Sequence, residues 1–208
     1  ELTAGERSET SHFRVIPVPL ERTVSYGAGT ALGPQAIIDA SNELERLCQG
    51  IEPCAKGIFT EPELDCDGPL AEVMESLAQR TEACVRAGQL PVTLGGEHSL
   101  SYGAVTGVAR ALNQPVGIVQ IDAHADLRDA YEGNPYSHAS VMKRIVDLDI
   151  PLFQLGIRAF CEEEIKTRKT HGVHHVDADV LVPRNISKID LPDDFPSNVF
   201  FTLDIDGM

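Results

Sequence analysis

The 208-residue chain is 42% hydrophobic and 24% charged, with a formal net charge of -15. This balance suits one soluble domain with a full core, and the acidity argues against nucleic acid, whose phosphates need clustered Lys and Arg. No apolar run is long enough to span a bilayer and the opening "ELTAGERSETSHF" lacks a signal-peptide core, so neither membrane insertion nor secretion is expected.

Five cysteines without a C-x-x-C pair favour reduced thiols and a cytoplasmic location, which makes "NIS" at Asn185 a chance sequon. Residues 1–12 read as a flexible tail and the chain as a single α/β domain, because apolar runs alternate with segments of helical period. After "YGAGTALGP", Pro34 suits the first turn of a helix with Ile37, Ala40, Leu44 and Leu47 on its apolar face. A second helix is expected from Leu70 to Ala87, closed by Gly88 in a left-handed cap.

"LPVTL" (90–94), "VGIVQI" (116–121), "PLFQLGI" (151–157) and "NVFFTL" (198–203) are apolar on both faces, as the buried strands of a parallel sheet are. Helices are expected after His98 and His138, and "VHHVDAD" reads as a further strand and its exit. Three of the runs break into polar residues at the same point: Leu94 into "GGEHS", Ile121 into "DAHAD", Leu203 into "DID". Open α/β sheets place their sites beyond the carboxyl ends of the strands. In an extended backbone, residues i, i+2 and i+4 point to one side, so Asp122, His124 and Asp126 could converge as a metal cradle. A lone Asp-x-His is ordinary turn chemistry; three such strand ends are not.

"GGEHS", "DAHAD" and "DIDGM", in this order, resemble the ureohydrolases, the family of arginase, agmatinase and formimidoylglutamase, from the Tyr26–Pro34 segment to the last residue. The resemblance implies an arginase-like fold, three layers around a mostly parallel sheet. It also implies two Mn²⁺ ions, one held by His98, Asp122, Asp126 and Asp204 and the other by His124, Asp122, Asp204 and Asp206, with Asp122 and Asp204 bridging. Four carboxylates and two imidazoles without cysteine form a hard donor set that fits this metal better than structural zinc. Paired dications would lower the pKa of a bridging water and supply hydroxide to attack a guanidinium carbon. His138, in "YSHAS", matches the family's catalytic histidine and would deliver a proton to the leaving amine, with Asp126 counted beside it as catalytic.

The loop "LRDAYEGNPY" resembles that of bacterial and archaeal agmatinases. It offers Asp129 and Glu132 to an amine tail, whereas Arg128 could instead pair with a carboxylate. The implied function is hydrolysis of agmatine to putrescine and urea, a step of polyamine biosynthesis. The alternatives are formimidoylglutamase, guanidinobutyrase, arginase or a non-catalytic family member; a dinuclear phosphoesterase would need a Gly-Asn-His segment, which is absent. Also implied are a trimer or hexamer and further strands and helices beyond Met208, including a glutamate in a Pro-Gly-Gly context that holds the guanidinium. Read this way the chain is truncated at its C-terminus: activity is expected of the complete protein, and a sheet lacking its last strands would expose an apolar edge.

Overall fold

The computed structural model describes residues 2–184, 186 and 188–208; Asn185 lies outside them. The chain forms two compact units, residues 1–111 and 112–208. All strand pairings in both are parallel.

In the first unit, β1 (Phe13–Val18) lies between β2 (Ile58–Thr60) and β3 (Leu90–Gly95). Ile16, Val18 and Leu20 are fully buried. Pro17 conceals β1 in the sequence, because proline argues against a central strand. The N-terminal stretch carries a 3-10 turn at Gly5–Arg7; Glu6 pairs with Arg46 at 2.6 Å, and Gln89 donates to the Ser11 carbonyl at 2.7 Å.

Helix α1 (Gly33–Ala40) begins with Pro34 in its first turn but stops before its expected apolar face is complete. Ser41 Oγ donates to the Ile38 carbonyl at 2.6 Å and Asn42 Nδ2 to that of Asp39 at 3.1 Å, satisfying helix-end acceptors and turning the chain away. Leu44 and Leu47 consequently lie outside the helix, and both are exposed, as is Ile37. Helix α2 (Leu70–Arg86) matches the expected span, with Gly88 at φ +73° after its last turn. It packs on α3 (Ser101–Ala111) through Gly103 and Gly107, and Thr81 Oγ1 donates to the Ala104 carbonyl at 3.1 Å.

The second unit holds β4 (Val116–Ile121), β5 (Leu152–Leu155), β6 (His174–Val176) and β7 (Asn198–Leu203) in the order β6-β5-β4-β7. Helices α4 (Val141–Val146), α5 (Glu162–His171) and α6 (Ala178–Leu181) accompany them. Val116, Ile118, Leu152, Met142 and Ile145 are among the core residues. Strand β7 departs from the expected two-sided burial: Val199, Phe201 and Leu203 are exposed in alternation, because β7 ends the order of this sheet among the described residues. Helix α5 starts at a capping box in which Glu164 accepts from Cys161 N at 2.8 Å, and its other oxygen accepts from Leu127 N at 3.0 Å. No helix of the described residues is long and apolar enough to cross a membrane.

The close approach of α2 and α3 leads to a stability prediction. A Cβ on Gly107 would lie 2.0 Å from the Ala78 carbonyl oxygen and 2.1 Å from Thr81 Oγ1. Although alanine is the better helix former by ~1 kcal/mol, Gly107→Ala should lower stability by ~1–3 kcal/mol through overpacking. Urea denaturation of both proteins measures the difference.

Candidate metal centre

Strand β4 ends at Ile121 and β7 at Leu203, and these two residues face each other in the parallel register. Asp122 and Asp204 therefore leave adjacent strands at equivalent points, and Asp204 N still donates to the Ile121 carbonyl at 2.9 Å. Each then makes the same local turn. Asp122 Oδ1 accepts from His124 N at 2.7 Å, and Asp204 Oδ1 from Asp206 N at 3.3 Å, the Asx geometry that competes with continued strand.

These turns correct one geometric expectation, an extended run through Asp122, His124 and Asp126. The chain bends after Ile121, and Asp126 adopts φ +53°. Asp126 is buried, its carbonyl receiving Met142 N at 3.0 Å and Lys143 N at 3.2 Å. Asp122 and His124 are joined by Asp206, and one ligand-capable atom from each of the three lies within 4.8 Å of the others. His124 Nδ1 is 3.0 Å from Asp206 Oδ2, and Asp206 Oδ1 accepts from Ala123 N at 3.1 Å.

Close backbone contact fixes the two turns together. A Cβ on Gly207 would lie 2.7 Å from Asp122 N, so no larger residue fits without a shift of backbone. The loop after β5 supports both: Arg158 N and Ala159 N donate to the Ala123 carbonyl at 2.9 and 3.0 Å, and the Arg158 guanidinium donates to the Asp206 carbonyl. Arg158 carries no motif signal of its own.

His98 lies in the first unit, opening the 3-10 turn His98–Leu100 directly after β3. Its neighbour Glu97 is buried and accepts from Arg22 N at 2.6 Å, from Thr23 N and Thr23 Oγ1 at 2.7 Å, and from the Ser99 hydroxyl. Burying a carboxylate is costly without such donors, and here they tie the loop after β1 to the "GGEHS" segment. Only its place inside that motif marks Glu97 in the sequence.

His138 opens the 3-10 turn His138–Ser140, capped by Ser137, whose hydroxyl accepts from Ala139 N at 3.2 Å. The Tyr131 ring meets His138 edge-on at 5.7 Å, and the Arg128 guanidinium lies over the other ring, 5.5 Å from the Tyr131 centroid. Asp129 is largely exposed and pairs with Arg144 at 2.8 Å. Glu132 (φ +50°) and Gly133 (φ +79°) form the tip of a tight turn in which Tyr131 and Asn134 exchange backbone hydrogen bonds at 3.1 and 2.9 Å.

The donor chemistry of Asp122, His124 and Asp206 fits a divalent cation of hard or borderline character. Burial, followed by repulsion from Asp204 and Asp122, raises the Asp206 carboxyl above the usual carboxylate range. A cation at this point would offset both effects.

A parallel α/β protein with carboxylates and an imidazole gathered at adjacent strand ends has the form of a metallohydrolase of the arginase fold. The arginase-family model matches residues 11–208, and the chain belongs to that family. It is 34% identical over 211 residues to the N(1)-aminopropylagmatine ureohydrolase of Synechocystis sp., covering 93% of this chain and 66% of the relative. It is 32% identical to the agmatinase of Bacillus anthracis, with 95% of this chain and 69% of that protein covered. Among solved structures, the agmatine ureohydrolase of Thermoplasma volcanium superposes with a TM-score of 0.83 at 28% identity, over 99% of this chain and 70% of its own. The chain thus spans about two thirds of the length of the curated relatives it matches.

The raised Asp206 pKa has a direct consequence for stability. A carboxyl whose folded pKa exceeds its unfolded value stabilises the fold at low pH and loses that contribution as pH rises through the folded pKa. Above that folded pKa the ionised Asp206 therefore weakens the metal-free protein. Asp206→Asn, which keeps the acceptor for Ala123 N, should raise the melting temperature without metal and lower Mn²⁺ affinity. Thermal unfolding and calorimetric titration on the same preparation check both signs.

Proposed function

We propose that this chain carries the metal centre of an amidinohydrolase that cleaves the guanidinium group of agmatine to urea and putrescine. The observation that supports this reading is the gathering of Asp122, His124 and Asp206 from the ends of two neighbouring strands in a member of the arginase family. In the full proposal, His98, Asp122, Asp126 and Asp204 would hold one Mn²⁺, and His124, Asp122, Asp204 and Asp206 the other. Ions bound there would supply a hydroxide nucleophile near neutral pH.

The residues of the chain then position and protonate the substrate. His138, set at the start of a capped turn with Tyr131 against one edge of its ring, carries a proton to the departing amine nitrogen. Asp126, buried beside the start of α4, belongs to the same catalytic group. The loop from Arg128 to Glu132 faces the substrate's tail. Arg128 is already engaged with the Tyr131 ring, which favours an uncharged or cationic tail over an α-carboxylate. The protein is proposed to act in the cytoplasm as a homo-oligomer, a trimer or hexamer.

A second reading changes only the tail: N(1)-aminopropylagmatine in place of agmatine, after the name of the Synechocystis relative. Both substrates lack the α-carboxylate of arginine. That group would enter a site rich in carboxylates, and leaving it desolvated and unpaired costs several kcal/mol, with each ~1.4 kcal/mol a tenfold loss.

Urea release by the full-length, Mn²⁺-loaded protein, offered agmatine, N(1)-aminopropylagmatine, arginine and guanidinobutyrate in parallel, beside formamide release from formimidoylglutamate, tests class and substrate together. The expected result is a kcat/KM for agmatine or its aminopropyl derivative ~100-fold or more above that for arginine. Comparable use of arginine, lost in Arg128→Ala, would instead make Arg128 a carboxylate clamp. His138→Asn should keep the metal content and slow kcat by ~10²- to 10⁴-fold; metal analysis beside steady-state kinetics separates a proton carrier from a ligand.

A further inference from the structure

A buried polar chain crosses the second unit from its helical side to Asp122. Its first link is Asp177, the residue before α6, which pairs bidentately with Arg168 of α5 at 2.9 and 3.0 Å. Arg168 is 6% exposed, and its Nε donates to Gln154 Oε1 at 2.8 Å. Gln154 Nε2 donates to Gln120 Oε1 at 2.7 Å and to the Ala125 carbonyl at 2.7 Å. Gln120 Nε2 donates in turn to Asp122 Oδ2 at 2.8 Å and to the His124 carbonyl at 3.3 Å. Gln120 and Gln154 face each other in register on β4 and β5, and both are fully buried.

The chemistry of the two ends sets the direction of this chain. Arginine can only donate and an ionised carboxylate can only accept. Gln154 must therefore turn its oxygen to Arg168 and its amino group to Gln120, and Gln120 must present its own amino group to Asp122. Each amino group has acceptors for both of its N–H bonds. Reversing either amide would set oxygen against oxygen at one end and leave buried N–H groups facing donors, at ~1–3 kcal/mol for each unsatisfied group.

We infer that Gln120 is a positioning residue for the Asp122 carboxylate, and that Gln154 and Arg168 act through it by fixing the direction of its amide. The inference rests on the proposed metal-binding role of Asp122. With Oδ2 accepting from Gln120 and Oδ1 from His124 N, the carboxylate is held in one orientation. Outer groups that orient a ligand in this way preorganise a metal site. The positive end of the chain, Arg168, is neutralised by Asp177, so the path supplies orientation without adding net charge.

The test uses the full protein, Mn²⁺ alone as the probe, and a double-mutant cycle read by calorimetric titration. Gln120→Met, unbranched and of similar length, should lower Mn²⁺ affinity ~10- to 100-fold. Gln154→Met, at a residue that touches no proposed ligand side chain, should lower it less but in the same direction. The double variant should match Gln120→Met alone, because without Gln120 the anchor has nothing left to orient. Unchanged affinity in either single variant overturns the inference. So does simple addition of the two losses, the pattern of two independent packing defects. Wild-type protein that takes up no Mn²⁺ would instead overturn the metal-binding proposal beneath it, and melting temperatures of the metal-free variants show separately how far each change disturbs the fold.

Discussion

The parallel pairing of β4 with β7, with Ile121 opposite Leu203, is the constraint on which the candidate centre depends. Side chains alternate along a strand, so a slip of one residue would send one aspartate of each facing pair to the other side of the sheet. In the observed register Asp122 and Asp204 emerge level with each other, and the same Asx turn at each swings His124 and Asp206 into a common neighbourhood. Gly207 lets the second turn settle directly on the backbone of the first, at a distance a side chain would prevent. Position is thus carried first by the sheet and only then by side-chain bonds.

Gathering like charges in this way is unfavourable, and the surrounding structure bears the strain through directed polarity. Nearby carboxylates and burial oppose the ionisation of Asp206. Asp122, by contrast, accepts from two donors, His124 N and the Gln120 amide. Glu97 and Glu164 are handled alike, each being buried only because backbone N–H groups reach both of its oxygens or share them with hydroxyls. In each case a carboxylate joins segments that share no regular secondary structure.

Much of this was legible in the sequence, for reasons that differ by element. Strands β3, β4 and β7 announce themselves as apolar runs cut off by polar residues, and α2 by its period and the glycine behind it. Strand β1 was not legible because of Pro17, nor β2 because three residues are too few to show alternation. The face drawn through Ile37, Leu44 and Leu47 failed because periodicity takes no account of Ser41 and Asn42, whose side chains compete for the last carbonyls of α1. At the site, spacing marked Asp122, His124 and Asp206, but the bend at Asp126 depends on α4, which spacing cannot show. Gln120 and Gln154 did leave a trace: each is the one polar residue inside an otherwise apolar strand. That trace acquires meaning only once the register sets the two side by side.

The contact between Ala123 N and the Asp206 carboxylate spans 83 residues of chain. Closing so long a loop costs entropy before any contact can repay it, and parallel pairings at this range form slowly. The carboxylate cluster therefore has no counterpart in the early folding chain: until β7 docks beside β4, a passing cation meets only scattered acids. Metal capture by the proposed ligands would then wait on the docking of β7. A bound ion would then act as a clasp on the part of the sheet most prone to fray, adding stability to the native state in proportion to the free metal present.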